Sequence, residues 1–401
     1  MNRRVFLVAC LVGLAIGLSS GPLVAGDPPL KVFLLVGQSN MQGHADVRTF
    51  EHLGMDAQTK PILDQLVDGN GQPRVCDDVW ISYLSTNGEK IGRLTSGFGA
   101  NESKIGPELT FGIFTQAALN EPILIIKAAW GGKSLNTDFR PPSAGPYVFT
   151  KAQLAAFEKQ GKDVEAMLAE KKDATGRYYR LTIDHVKTVL ADIGRVYPEY
   201  DAEDGYELSG MVWFQGWNDM VDSGTYPNRN QAGGYDQYSD VLAAFIRDLR
   251  RDLSAPDLPI VVGVLGVGGP VDAYSPSEAR YKAVHQNFRS AMAKTANLDE
   301  FKGNVSNVLT EQYWDSQLAD LRSRSEAVGR DARKQVAAKK LTGSEISAAN
   351  DAAMAAEFSE EELRTLQAGV SNFAFHYLGS ATIQAKIGKG FAEALLKLMN
   401  E

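Results

Sequence analysis

Residues Val32-Phe33-Leu34-Leu35-Val36 form an unbroken apolar run that stops at Gly37, and the chain continues Gln38-Ser39-Asn40-Met41. A β-branched and apolar stretch without alternation reads as a strand buried on both faces, as the strands of parallel sheets are. Parallel strands need crossover connections, so such a strand commits the chain to an α/β architecture. In open α/β sheets ligands bind outside the carboxyl ends of the strands, and Ser39 stands at such an end. It is a candidate hydroxyl nucleophile, flanked by amide side chains that can donate hydrogen bonds. Gly and Ser are also ordinary loop residues, so the weight of this block depends on what other segments supply.

Similar apolar runs recur at Val79 to Leu84, Pro122 to Ala129, Ser209 to Phe214, Pro259 to Leu265 and Val305 to Leu309. Helical patterns separate them, at Glu108 to Leu119, Tyr179 to Val196, Tyr235 to Leu253 and Ser277 to Thr295, with a last one at Ala381 to Met399. This alternation predicts a three-layer α/β/α sandwich around a parallel sheet. Two stretches read as helical insertions, at 141–175 and 315–366. The first follows Arg140-Pro141-Pro142, and the second is rich in Ala and charged residues with no strand pattern.

The N-terminus carries Asn2-Arg3-Arg4, an apolar stretch from Val5 to Leu18, and Leu23-Val24-Ala25. That succession reads as a secretory signal peptide over residues 1–25, leaving 26–401 as one exported domain, periplasmic or secreted. The apolar stretch is short for a membrane span, so no stable insertion is expected after cleavage. Cleavage would remove Cys10 and leave Cys76, which excludes an internal disulfide and a cysteine metal site and makes Cys76 a buried apolar residue. A net charge of −8 with no basic stripe argues against a nucleic-acid partner.

Three further segments fall at or beside strand ends and complement Ser39. They are Trp130-Gly131-Gly132-Lys133-Ser134-Leu135, then Trp213-Phe214-Gln215-Gly216-Trp217, and His376-Tyr377 before the last helix. Serine needs a base at neutral pH, and histidine is the usual one. The tetrahedral intermediate needs fixed donors, which glycine N–H groups and an amide side chain can provide.

With Gly106-Pro107-Glu108, these blocks resemble, in order, the SGNH-type esterases, specifically the sialate O-acetylesterase domain and related acetylxylan esterases. The resemblance runs from residue 31 to about 398, outside the two insertions. It implies a flavodoxin-like α/β/α fold and a serine esterase that removes O-acetyl groups from carbohydrates through an acetyl-enzyme, without cofactor or metal. Ser39 would be the nucleophile and His376 the general base. The Ser39 N–H, a glycine N–H (Gly132 rather than Gly131) and the Gln215 side chain would form the oxyanion hole. Gln38, Asn40, Trp130 and Trp217 would contact the acetylated carbohydrate.

Two positions depart from the family pattern. Phe373, with Asn372 beside it, occupies the place of an Asp that orients the histidine in many members, and Trp217 stands where Glu is common. A backbone carbonyl, or an acid from elsewhere such as Glu311 or Asp219, would then hold the imidazole. His44 reads as a rim residue, and His52, His185 and His285 as structural. Gly263 to Gly269 lacks the Lys-Ser/Thr of a phosphate loop and reads as a strand-to-loop turn. Alternatives from other classes are a non-catalytic carbohydrate-binding relative and an esterase for lipid or simple esters.

Overall fold

β1 (Leu30–Gly37) is the centre of the molecule, with Val32 to Val36 fully buried. The computed structural model describes residues 28–339 and 342–400, so the expected signal peptide lies outside the described residues. Six more strands complete the sheet: β2 (Val79–Ser85), β3 (Gly88–Arg93), β4 (Ile123–Ala129), β5 (Tyr206–Phe214), β6 (Ile260–Val264) and β7 (Val305–Leu309). Their spatial order is β3-β2-β4-β1-β5-β6-β7. Every neighbouring pair is parallel except the β2–β3 hairpin. The five strands expected after β1 are all present. β3 escapes the apolar pattern because it is an exposed edge strand, with Glu89, Lys90 and Arg93 along it.

Both faces of the sheet are covered, as buried parallel strands require. Successive strand residues point to opposite faces, and in β5 the ring of Trp213 meets Phe245 while that of Phe214 meets Phe391. Phe245 belongs to the helix Asp236–Asp252 and Phe391 to the last helix, Ala381–Met399, so these two helices lie on opposite layers. The last helix packs against Glu108–Leu119. Three helices, Ser316–Lys339, Ser344–Glu357 and Glu360–Gly369, follow β7, and Lys151–Lys159 and Val164–Ala174 follow β4; none joins the sheet. Cys76 is buried and unbridged, and burial pushes its thiol up to about 11.

The connectivity creates a crevice beside β1. From β1 the chain builds β2 to β4 on one side and then crosses to β5 on the other, which makes the end of β1 a topological switch point. Gly37 pairs with Ala129 of β4 and with Phe214 of β5, so Gln38, Trp130 and Gln215 emerge level with one another. Gly37 must be glycine there, since a Cβ would lie 2.1 Å from the Phe214 carbonyl oxygen.

Candidate active site

Ser39 begins a single helical turn, Ser39–Gln42, directly beyond β1, and is 7% exposed. Behind it the Gln38 side chain brackets two strand ends. Its Oε1 accepts from Gln215 Nε2 (3.1 Å), Gly216 N (3.1 Å) and Asn218 N (3.3 Å). Its Nε2 donates to Asn218 Oδ1 at 3.0 Å and more weakly to Ser39 Oγ at 3.4 Å. The far end of the turn is anchored by Lys127, whose Nζ donates to the Gln42 carbonyl (2.9 Å), the Phe98 carbonyl (2.7 Å) and Glu108 Oε2 (2.7 Å). Lys127 and Glu108 are both fully buried, and burial pushes the ammonium down and the carboxyl up against their mutual attraction.

The glycine loop after β4 lies against this turn. A Cβ on Gly131 would come within 4.0 Å of Ser39 Cβ and 3.4 Å of Gln42 Oε1. Gly132 turns the chain with φ +73°, a conformation that favours glycine. Neither glycine N–H has an acceptor among the described residues. Beyond them Asp219 fixes the loop, accepting from Leu135 N (2.7 Å), Asn136 N (3.0 Å), Gln215 Nε2 (2.6 Å) and Tyr226 OH (3.1 Å). Burial pushes the Asp219 carboxyl up to about 6 against these four donors.

His376 comes from the turn Ala374–Gly379, which packs against the turn bearing Ser39. Two non-glycine residues in succession, Tyr377 (φ 52°) and Leu378 (φ 62°), are left-handed here. That conformation costs about 1–2 kcal/mol per residue, so something must impose it. The Leu378 carbonyl accepts from both Ser371 N and Asn372 N at 2.9 Å, and Leu378 N returns a bond to the Phe373 carbonyl at 3.1 Å. The buried Tyr377 hydroxyl accepts from Gly266 N at 2.8 Å and bonds Thr310 Oγ1 at 2.6 Å. The strain therefore sits at a position that aims the histidine.

His376 Nδ1 lies 3.0 Å from Asn372 Oδ1, and the Phe373 N–H donates to the same oxygen at 2.8 Å. A backbone N–H can only donate, so the Asn372 atom between them is the carbonyl oxygen. His376 must then carry its proton on Nδ1, which leaves Nε2 as the basic nitrogen. His44 stacks on the imidazole, with ring centroids 3.8 Å apart and planes inclined by 1°. Burial, then the Lys104 ammonium, depress His376 to about 4; burial, then His376 itself, depress His44 to about 3. Two face-to-face imidazoles are thus both neutral at physiological pH.

The family described as carbohydrate esterase, sialic acid-specific acetylesterase, matches residues 29–307. The chain belongs to this family. It is therefore an ester hydrolase of the carbohydrate esterases, and the matched span contains Ser39, the glycine loop and Gln215 but ends before His376. No curated protein sequence matches the chain. Among solved structures, a protein from Arabidopsis thaliana is similar at 17% identity and TM-score 0.38, over 71% of this chain and 86% of that one. A carbohydrate acetylesterase from Xanthomonas citri is similar at 15% identity and TM-score 0.37, over 69% of this chain and 49% of that one.

In the esterase, several residues expected at the substrate face inward. Gln38, Asn40 and Trp130 are 1%, 2% and 3% exposed, so they line no open surface. Gln38 joins strand ends, Trp130 packs on Phe139 and Tyr178, and neither amide atom of Asn40 has a protein partner. Gln215 Nε2 serves three acceptors, Gln38 Oε1, the Lys133 carbonyl and Asp219 Oδ2, with two protons. It has none left for an oxyanion. Trp217 alone of the expected contacts keeps an open face, half-buried beside Phe375.

The orienting group is neither a backbone carbonyl nor an acid. Glu311 is paired with Arg289, Asp219 serves the glycine loop, and Asn372 holds the ring. The contact comes from an amide four residues before His376 and not from a carboxylate at position 373. His44 is half-buried against His376, and their stack links positions 332 apart, invisible to local patterns. His52, His185 and His285 bond Thr382, Ser82 and Tyr274. Among the described residues no three His, Cys, Asp or Glu side chains gather as metal ligands, and no helix is long and apolar enough to cross a membrane.

Proposed function

We propose that the esterase removes O-acetyl groups from carbohydrates through a Ser39–His376–Asn372 relay and an acetyl-enzyme. The observation that carries this reading is the fixed tautomer of His376, on a turn packed against the nucleophile turn. Ser39 Oγ attacks the acetyl carbonyl carbon while His376 Nε2 takes the hydroxyl proton. The oxyanion forms beside the Ser39 N–H and the unpaired N–H groups of Gly131 and Gly132. Collapse breaks the ester bond, and the imidazolium returns its proton to the departing sugar oxygen. Water then attacks acetyl-Ser39, gives its proton to Nε2, and acetate leaves as Ser39 recovers its own.

In this state Ser39 Oγ receives only the long Gln38 bond and makes none to His376 among the described residues. Catalytic hydrogen bonds commonly tighten when substrate binds. Asn372 plays the part that asparagine plays in Cys-His-Asn proteases, orienting the ring without a full charge.

The test is acetate release from p-nitrophenyl acetate and from acetylated glycans, comparing wild type with Ser39→Ala and His376→Ala. Each variant should lose about a thousandfold or more in kcat, as nucleophile and base knockouts do. Wild-type rates in Ser39→Ala would remove the reading. Export through residues 1–25 belongs to the same proposal, and is checked by the N-terminal sequence of the protein recovered outside the cytoplasm.

A further inference from the structure

Beside His376 the surface is aromatic. Phe375 meets the imidazole edge-on, with centroids 4.5 Å apart, and is flanked by Trp217 (5.6 Å, planes at 34°) and Phe373 (5.2 Å, 12°). Phe373 is 55% exposed, an unusual state for a large apolar side chain on a rigid turn. The row ends at a cleft of about 240 Å³ lined by Arg48, Arg322, Val370, Ser371, Asn372 and Phe373. Arg322 lies over the Phe373 ring, 6.0 Å from its centroid. It comes from the first helix after β7, so that excursion reaches the edge of the active site.

We propose that this row and cleft form a subsite for a second sugar unit of an acetylated oligosaccharide, whose acetylated unit sits at Ser39. The inference rests on the proposed esterase reading. Aromatic surface matches the C–H faces of a pyranose, and the polar groups around it match its hydroxyls. Arg48 already donates to the Gln367 and Val370 carbonyls, and Arg322 Nε to Glu326. Arg322 Nη1 and Nη2 make no hydrogen bond among the described residues and Arg48 keeps single N–H groups, so both side chains can donate to sugar hydroxyls.

The experiment measures binding in the Ser39→Ala background by calorimetry. The probes are partially acetylated xylohexaose and mannohexaose, an acetylated galacturonate hexamer, and the monoacetylated monosaccharides. A hexamer should bind more tightly than its monosaccharide, and Phe373→Ala or Arg322→Ala should each shrink that advantage by about threefold to tenfold. Unchanged melting temperatures would confirm that both substitutions leave the fold intact. Equal affinity for hexamers and monosaccharides overturns the subsite, as does an advantage that survives both substitutions. Loss of the esterase reading looks different: wild type would release no acetate, whereas chain-length selectivity in binding would persist.

Discussion

Asn372 Oδ1 holds His376 Nδ1 at 3.0 Å and fixes which nitrogen is basic. The amide orients the ring as a carboxylate would, yet adds no negative charge to stabilise the imidazolium. Asn372→Ala should lower kcat about a hundredfold, the scale of cost for a misplaced catalytic group. Asn372→Asp keeps both hydrogen bonds and adds a charge, so it should raise the His376 pKa. The acid limb of the kcat/KM profile would then move to higher pH, and an unmoved limb would refute this role for residue 372.

In the proposed mechanism neutral imidazole is the working form of His376, and its pKa is depressed to about 4 by burial first. Activity should therefore stay level from neutral pH down to about 5 and fall as pH drops through about 4. A midpoint near the unperturbed histidine value of about 6.5 would contradict the buried, neutral state.

His44 covers one face of that ring. His44→Ala would open it to water and reduce its desolvation, so the His376 pKa should climb toward its ordinary value. His44→Phe keeps an aromatic cover and should leave the midpoint closer to wild type. NMR titration of the His376 ring protons in the two variants checks this ordering.

The same burial links stability to pH. His44, His285 and His376 have folded pKa values of about 3, 4 and 4, below their unfolded value of 6.5. The unfolded chain binds more protons below pH 6.5, so their contribution is complete above that value and declines as pH falls toward the folded values. Each such group gives a slope of up to about 1.4 kcal/mol per pH unit. Asp219 opposes them with the reverse sign, since its folded pKa of about 6 lies above the unfolded 3.8. His52 and His185 are depressed by burial too and the buried Glu108 carboxyl is raised, so five histidines against two carboxyls leave net acid destabilisation, measurable as a lower urea midpoint at pH 5 than at pH 7.

Asp219→Asn tests the loop anchor. The carboxylate accepts from four donors, and an amide would turn an NH₂ group toward at least one of them. Each buried donor left without an acceptor costs about 1–3 kcal/mol. Urea unfolding should register that loss, and kcat should fall as the Gly131-Gly132 loop loosens.

The sheet was legible because β1, β2 and β4 to β7 are apolar in a pattern that local sequence displays. β3 was not, because its stability comes from pairing with β2 while its side chains face water. At the site, Ser39 could be read from its place after a buried strand. Polar residues beside a nucleophile look alike in sequence, yet Gln38 is spent on bonds to the protein while both amide atoms of Asn40 are buried without a protein partner. Gln38 ties β1 to the β5 end, and Asn372 holds the ring through an amide, which carries no charge to mark that role in the sequence.

The level exit of β1, β4 and β5 at Gly37, Ala129 and Phe214 makes the backbone ladder a ruler for the site. The positions of Ser39, the glycine pair and Gln215 are indexed to that rung and not to the lengths of the connections between them. Segments between the strands can therefore lengthen, shorten or exchange without displacing the reacting groups. A one-residue insertion within β1 would slide the nucleophile out of step with both neighbours at once. For anyone grafting new specificity onto this protein, the excursions are the adjustable parts and the three central strands are the gauge that must stay untouched.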